Sequence, residues 1–447
     1  MRILHTSDWH LGRSFKRVPL LEEQCRFTDQ VVDLVGSEGI DLVVVAGDVF
    51  DRALPPVEAV EAWYGALEQI VDAGAQVVGI AGNHDQGERI EIPPRLLREG
   101  VVIRGSREPG AVMLEFDDGP LLVAPIPFLD PFLARGLSDG EGAATHQSVL
   151  EGWLARVQKD VDRSPRSLVV SHAFVRGGLE SESERSLLQV GGAELVDASV
   201  YKGISYVALG HLHRPQVVGD NERVAYCGSP IPYSFSETDP KALRLVDLSA
   251  DGTDLTVELI PVEAGWPVVT IADSFENLVS DKRYVEYEKR FFVRAMLTDP
   301  VVQPGAMDRL RTRYDGIIQL GYAFLDEVAG TRRVDLDVDG GADPRKLADE
   351  FWEGVTGRSP TKPEGLLLDE AIRVGFRDQE VPALGRWRSS WRPSDRLPPR
   401  RRSISRRSRN SVSTWSLETP APARPRCSTP WSTPSTGRCP GPGGMGS

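Results

Sequence analysis

The stretch RILHTSDWHLG, residues 2–12, decides the fold: a continuous apolar run breaks off into Ser7, Asp8 and His10. A run that is continuous rather than alternating reads as a strand buried on both faces, as in a parallel sheet. The same design returns in DLVVVAGD (41–48), QVVGIAGN (76–83), LLVAPIPF (121–128), SLVVSHAF (167–174) and YVALGHLH (206–213). Helical spacing fills the gaps: Leu20, Phe27, Val31 and Leu34 share one face, and Val57, Val60, Tyr64, Leu67 and Val71 another. Gly74 is the expected stop of the second helix. Strand and helix in alternation predict an α/β fold with helices packed over sheets.

Beyond residue 220 the pattern shortens to RVAYCGSPI (223–231) and LRLVDLSADGTDLTVELIPV (243–262), the latter turning near Asp251-Gly252 as a hairpin. These strands complete a first domain, residues 1–265. A smaller α+β unit is expected over 266–335, with RFFVRAMLT (290–298) as one of its strands. Residues 336–380 form a helical segment, amphipathic over 344–376. From 381 to 447 the chain turns to Arg, Ser and Pro and is expected to be disordered, because it buries too little apolar surface to offset the entropy of ordering. A natural basic arm and a frame-shifted end both suit that composition.

A chain of 447 residues is long enough for two or three compact units, and 40% hydrophobic with 26% charged residues is ordinary globular composition. The net charge of -13 averages two unlike parts. Residues 381–447 hold 13 Arg against Asp395 and Glu418, a net of +11, which leaves 39 basic and 63 acidic residues, or -24, for the rest. An acidic body argues against a broad nucleic-acid-binding face, since phosphate backbones are gripped by Lys and Arg. Any DNA contact must be local, metal-assisted or shared with a partner. MRILHTSDWH lacks the basic and apolar regions of a secretory leader, and no apolar run approaches the length of a membrane span, so a cytoplasmic protein is expected. Cys25, Cys227, Cys427 and Cys439 are scattered without CxxC spacing, which indicates neither a disulfide framework nor a zinc ribbon.

Five of the apolar runs end in metal-capable residues: Asp8 with His10, Asp48, Asn83 with His84, His172, and His211 with His213. Loops past the carboxyl ends of strands in an α/β sheet face one crevice, so five such ends can converge. Asp8 and His10, like His211 and His213, are two apart, and on an extended backbone such residues project to one face. Four imidazoles beside carboxylate and amide favour Mn²⁺, Fe or Zn over Mg²⁺. Seven ligands exceed what one octahedral ion needs, but suit two ions about 3.5–4 Å apart. A single histidine at a strand end is more often structural, Asp48 could cap a helix and Asn83 could form a turn; only the joint set points to metal chemistry. Of the other histidines, His5 is expected to be structural and His146 to lie on the surface.

Together SDWHLG (7–12), AGDVFD (46–51), AGNHD (81–85), SHAF (171–174) and GHLHRPQ (210–216) resemble the calcineurin-like metallophosphoesterase pattern. With MRILHTSDWHLGR and GSPIPYSF (228–235), the chain resembles more narrowly the bacterial SbcD family of nuclease subunits. The resemblance covers residues 1–260, and 266–376 by position and size only. It implies a sandwich of two sheets flanked by helices, with the 266–335 unit capping the site. Asp8, His10, Asp48 and His213 would hold one metal and Asp48, Asn83, His172 and His211 the other, with Asp48 bridging and Mn²⁺ the expected ion. His84 would protonate the leaving oxygen, as suits a side chain titrating near neutral pH, with Asp85 orienting it and water as the attacking group. Arg13 and Arg214 flank ligand motifs and either touch DNA phosphates or stay solvated.

The resemblance also implies an SbcC-type coiled-coil ATPase as partner, docked by 336–380, and duplex ends and hairpins as DNA substrates. Two nuclease subunits would pair through helices near 56–73 and 89–99 in a heterotetramer. The activity implied is a 3'-5' double-strand exonuclease and single-strand endonuclease in DNA repair, replication and recombination. A phosphatase or small-molecule phosphodiesterase with the same metals, and a non-catalytic DNA-binding scaffold, stand as alternatives. No GxxxxGK[ST] loop occurs, so ATP dependence must come from elsewhere.

Overall fold

The computed structural model describes residues 1–93, 96–138, 143–184, 195–323, a few positions between 345 and 353, and 358–375. One sheet of six strands runs, edge to edge, Leu255–Pro261, Ala242–Leu248, Arg2–Thr6, Leu42–Val45, Gln76–Ile80 and Val101–Arg104. Its last four strands are parallel and its first two form the antiparallel hairpin around Asp251-Gly252, Leu248 facing Leu255. A second six-stranded sheet runs Gln216–Val218, Asn221–Tyr226, Tyr206–Gly210, Ser167–His172, Leu121–Ile126 and Val112–Leu114, parallel through its four inner strands.

Alternate residues of the continuous apolar runs serve two cores, which is why the runs do not alternate with polar residues. Ile3, Leu42, Val44 and Val78 meet Val123, Leu168, Val170 and Ala208 between the sheets. On the opposite face of the first sheet Leu4, Val43, Val45 and Val77 pack under helices Leu21–Glu38 and Val57–Asp72 through Phe27, Val31 and Trp63. On the outer face of the second, Ala124, Val169 and Val207 pack under helix His146–Val161 through Trp153 and Val157. The layers are therefore helix, sheet, sheet, helix. Helix Val57–Asp72 stops as the sequence predicts: Gly74 takes φ +108°, a conformation that favours a residue without Cβ.

A third sheet of three parallel strands, Val268–Asp273, Phe292–Leu297 and Ile317–Tyr322, is crossed by helices Phe275–Ser280 and Ala306–Arg311 over its own core. It joins the sandwich through an apolar seam in which Phe15, Leu20, Ile231, Tyr233 and Phe235 meet Val268 and Phe292. The Phe15 ring packs 5.0 Å from that of Phe235 and 5.5 Å from that of Phe292. The helix Lys362–Gly375 lies in a separate unit of the chain. The expectation of disorder over 381–447 lies outside the described residues.

One helix differs from expectation. The helix anticipated over 89–99 is reduced to Gly87–Ile90 among the described residues. Pro93-Pro94 is the physical reason, because a proline ring disfavours the helical conformation in the residue before it. His146, expected at the surface, is half-buried at the start of its helix with its ring 5.5 Å from that of Phe128. His5 is fully buried and hydrogen-bonded to Tyr206 Oη at 2.9 Å and Leu209 O at 3.1 Å, as its structural reading requires.

Candidate metal centre

Asp8 and His10, Asp48, and Asn83 with His84 follow three neighbouring strands of the first sheet, while His172, His211 and His213 end two strands of the second. The site therefore straddles one edge of the sandwich. The convergence is not produced by extended backbone, as the two-residue spacing suggested. Asp8, His10, Asp48 and His211 take φ of +54°, +44°, +49° and +108° beyond the strand ends, so tight left-handed turns aim the side chains. Such values are uncommon outside Gly, cost on the order of 1–3 kcal/mol each, and cluster where function requires them. Glycines make room for the turns: a Cβ on Gly47 would lie 2.9 Å from His172 Cγ, and one on Gly82 2.7 Å from Asp48 Cγ.

The six titratable ligand candidates are no more than 2% exposed and His84 is 7% exposed, so the cluster is withdrawn from bulk water. Ligand atoms of Asp8, His10 and His213, of His10, Asp48 and His84, and of Asp8, Asp48 and His172 lie within 4.8 Å of one another. Asp48 Oδ2 sits centrally, 3.6 Å from Nε2 of His10, 3.6 Å from Nε2 of His172 and 3.9 Å from Nε2 of His84. Its other oxygen accepts from His84 N at 2.8 Å. Both Asp8 oxygens lie 3.1 Å from His211 N.

What fits a cation is the pairing of acceptor with acceptor. His172 Nδ1–H donates to Ala46 O at 2.9 Å, which leaves a lone pair on Nε2, yet Nε2 lies 2.9 Å from the carbonyl oxygen of Asn83. His10 Nε2 and His213 Nε2 face each other at 3.1 Å. His10 Nδ1 and His211 Nε2 are buried without a hydrogen-bond partner among the described residues. Buried polar atoms are otherwise expected to be satisfied, so unpartnered ring nitrogens beside Asp8 and Asp48 suit a bound cation. Burial, reinforced by the neighbouring imidazoles, pushes His211 down to about 3 and His10 well below the usual histidine range, so both stay neutral as metal ligation requires. Burial raises Asp8 to about 6 against the pull of His172 and His213; Asp48 is held below the ordinary carboxylate range, burial being outweighed by His172 and His84.

Asp85, expected to orient His84, braces two loops of the centre. It accepts from Val49 N, Phe50 N and Gly82 N at 3.0, 2.9 and 2.8 Å and so binds the Asp48 loop to the Asn83 loop. Burial, with Asp48 nearby, pushes it up to about 7. The His84 ring is oriented by a main-chain oxygen, its Nδ1 donating to Asp51 O at 2.8 Å. Arg214 is surface-exposed and paired with Asp239 at 3.0 Å, so its charge is already matched. Arg13 stacks 4.7 Å over the Tyr233 ring and donates to Ser183 O at 3.1 Å, with Nη1 unpartnered among the described residues.

Sequence reading missed Ser183, Glu184, Glu237 and Lys241, which surround His213. Glu237 is buried, and although burial alone would raise it, Lys241 and His213 hold it below the usual carboxylate range. A signal existed in retrospect: Glu237 and Lys241, four apart, follow directly on the GSPIPYSF run.

Residues 1–215 match the family described as calcineurin-like phosphoesterase. The chain is similar to the SbcD subunit of the SbcCD nuclease of Bacillus subtilis, 30% identical over 406 residues that cover 85% of this chain and 100% of that one. It is 28% identical to the SbcD subunit of Staphylococcus saprophyticus, over 83% of this chain and 98% of that one. Against the SbcD subunit of Rhodobacter capsulatus it is 34% identical, over 63% of this chain and 77% of that one.

Proposed function

The chain belongs to the SbcD family of calcineurin-like phosphoesterases, and from that membership we propose that it is the metal-dependent nuclease subunit of a DNA end-processing complex. As a member it is a hydrolase of phosphodiester bonds. The observation that carries the proposal is the gathering of buried ligand atoms, those of Asp8, His10 and His213 and those of Asp8, Asp48 and His172 each within 4.8 Å of one another, with His172 Nε2 set against the carbonyl oxygen of Asn83, an arrangement that favours cations. Two divalent ions, Mn²⁺ by the chemistry of the donor set, would supply positive charge to the reacting phosphate and acidity to a water nucleophile. We assign Asp8, His10, Asp48 and His213 to one ion and Asp48, Asn83, His172 and His211 to the other.

The chain's own residues then do three things. The left-handed turns at Asp8, His10, Asp48 and His211 hold the ligands in place before substrate arrives, so little reorganisation accompanies reaction. His84, with Nδ1–H fixed on Asp51 O, keeps its Nε2 toward the cluster, where as the imidazolium it would give its Nε2 proton to the leaving oxygen and be left neutral. Asp85 acts indirectly, by keeping the two loops in register. Both flanking arginines have a carboxylate partner, Arg13 with Asp51 at 3.6 Å and Arg214 with Asp239 at 3.0 Å, and both are kept as candidate contacts to DNA phosphates.

The remaining assignments follow the family. The unit over 266–335 caps the site above the nuclease domain of residues 1–265, and 336–380 docks an SbcC-type ATPase. Val57 and Tyr64 on helix Val57–Asp72, Leu54 just before it, and Leu96 beyond helix Gly87–Ile90 are exposed; they supply apolar surface for pairing two nuclease subunits in a heterotetramer. No helix among the described residues is long and apolar enough to cross a membrane, and we place the protein in the cytoplasm, on DNA ends. The test is an assay of purified protein with Mn²⁺ on labelled hairpin and duplex DNA, with and without an SbcC-type ATPase and ATP, beside a generic phosphodiester dye. Cleavage of DNA supports the proposal; turnover of dye without cleavage of DNA under any of these conditions would favour a small-molecule phosphodiesterase.

A further inference from the structure

His213 is gripped on the side away from the metal cluster by residues of two separate segments. Its Nδ1 lies 2.6 Å from Ser183 Oγ and 3.5 Å from Glu237 Oε1, while Ser183 Oγ donates to that same Glu237 oxygen at 2.5 Å. A serine hydroxyl has one proton. If it goes to the carboxylate, Ser183 meets Nδ1 with a lone pair, so His213 must carry its proton on Nδ1. The ring is thereby fixed with its lone pair on Nε2, the atom that faces His10. The main chain of His213 is pinned as well, N donating to Glu184 Oε1 at 2.8 Å and O accepting from Lys241 Nζ at 2.9 Å.

Glu237 is itself held on all sides. It accepts from Tyr233 N at 3.1 Å, from Ser229 Oγ at 3.0 Å and from Lys241 Nζ at 2.5 Å, with 2% of its side chain exposed and 8% of that of Lys241. A buried ion pair adds little net stability over apolar side chains of the same volume, because desolvation offsets the attraction. What the pair accomplishes is directional: a carboxylate behind a metal-ligating histidine sets the tautomer and ring orientation and raises ligand basicity.

We propose that Glu237, with Lys241 as its counter-ion and Ser183 as the link, is a positioning residue that fixes the tautomer and aim of His213 and so sets the affinity of the metal position built on Asp8, His10 and His213. This rests on the metal reading above. The test titrates metal-stripped full-length chain with Mn²⁺ alone, reading free Mn²⁺ by electron paramagnetic resonance, for the unchanged protein, Glu237→Gln and Ser183→Ala. Glu237→Gln keeps the shape and removes the charge; Ser183→Ala breaks the link while leaving Glu237 and Lys241 paired, and carries the test should the first variant not fold. The unchanged chain binds two ions. In each variant one of the two weakens on the order of 10–100-fold while the other keeps its affinity. Two ions bound with unchanged affinity in both variants, or both sites weakened equally together with the melting temperature in chelator, would overturn the positioning role alone. Failure of the unchanged chain to bind Mn²⁺ would overturn the metal reading and this inference with it.

Discussion

Gly82→Ala probes how closely the loops of the centre pack, and its effect can be worked out in advance. Gly82 is not in a left-handed conformation, so alanine meets no backbone penalty there. The obstacle is space: the new Cβ would stand 2.7 Å from Asp48 Cγ, with Asp48 Oδ1 and N closer still. The neighbour is backbone and a pinned carboxylate, so the Asn83 loop or the Asp48 loop must move. Overpacking of this kind costs about 1–3 kcal/mol, and loss of the His84 N to Asp48 Oδ1 hydrogen bond, 2.8 Å to an ionised acceptor, adds about 1.5–3 kcal/mol. Reduced freedom of the unfolded chain returns roughly 0.4–1 kcal/mol. A net loss of about 1.5–5.5 kcal/mol leaves a folded protein at all but the low end of the usual stability of about 5–15 kcal/mol. The larger effect is on metal. Ligand-bound stabilisation of about 2.7 kcal/mol is expected at a hundredfold excess over the dissociation constant, and displacing Asp48 removes most of it. Thermal unfolding in chelator and in saturating Mn²⁺ separates the two. The unchanged chain gains melting temperature with Mn²⁺ and Gly82→Ala gains little; an equal Mn²⁺-dependent shift in both would refute the packing argument, because Asp48 would then be free to move without consequence.

Other outcomes follow from the same geometry. His84→Gln keeps both ions but loses cleavage of DNA by on the order of 10²–10⁴-fold, the usual contribution of a positioned acid; loss of metal in a direct titration would show that His84 is a ligand instead. His5 is buried, and burial followed by the Arg244 charge lowers it to about 3. The unfolded chain therefore takes up the proton near 6.5 and the fold only near 3, so this contribution to stability is complete above 6.5 and declines as pH falls toward 3. Between pH 6.5 and 5 the decline amounts to about 2 kcal/mol, and urea unfolding in chelator should show it reduced in His5→Asn; identical pH dependence would place the acid sensitivity elsewhere. Phe15→Ala, emptying the seam against Phe235 and Phe292, is expected to cost about 3–5 kcal/mol and to expose the 266–323 unit to limited proteolysis; unchanged cleavage kinetics would mean the seam does not hold it.

How much was legible in the sequence depends on the range of the signal. Runs such as LVVVAGD announce strands buried on both faces, and the polar residues that end them mark the candidate ligands, because both facts are local. Which strands share a sheet is not local, and the division of the ligand strands between two sheets does not show in their composition. The left-handed turns at Asp8, His10 and Asp48 were invisible, since Asp and His also occur in extended chain. Pairing across long separations explains the rest: Ser183 and Glu237 meet at His213 across 54 residues, and Arg214 is neutralised by Asp239 25 positions on. The same holds for Asp85, whose carboxylate accepts from Val49 N and Phe50 N, more than 30 positions back in the chain.

The central claim is that two divalent ions lie between the buried lone pairs of these strand ends, and anomalous diffraction from crystals grown with Mn²⁺ tests it most directly. Two peaks about 3.5–4 Å apart on either side of Asp48, one against Asp8, His10 and His213 and the other against Asn83, His172 and His211, are predicted. A single peak, or peaks bound by other side chains, would contradict it.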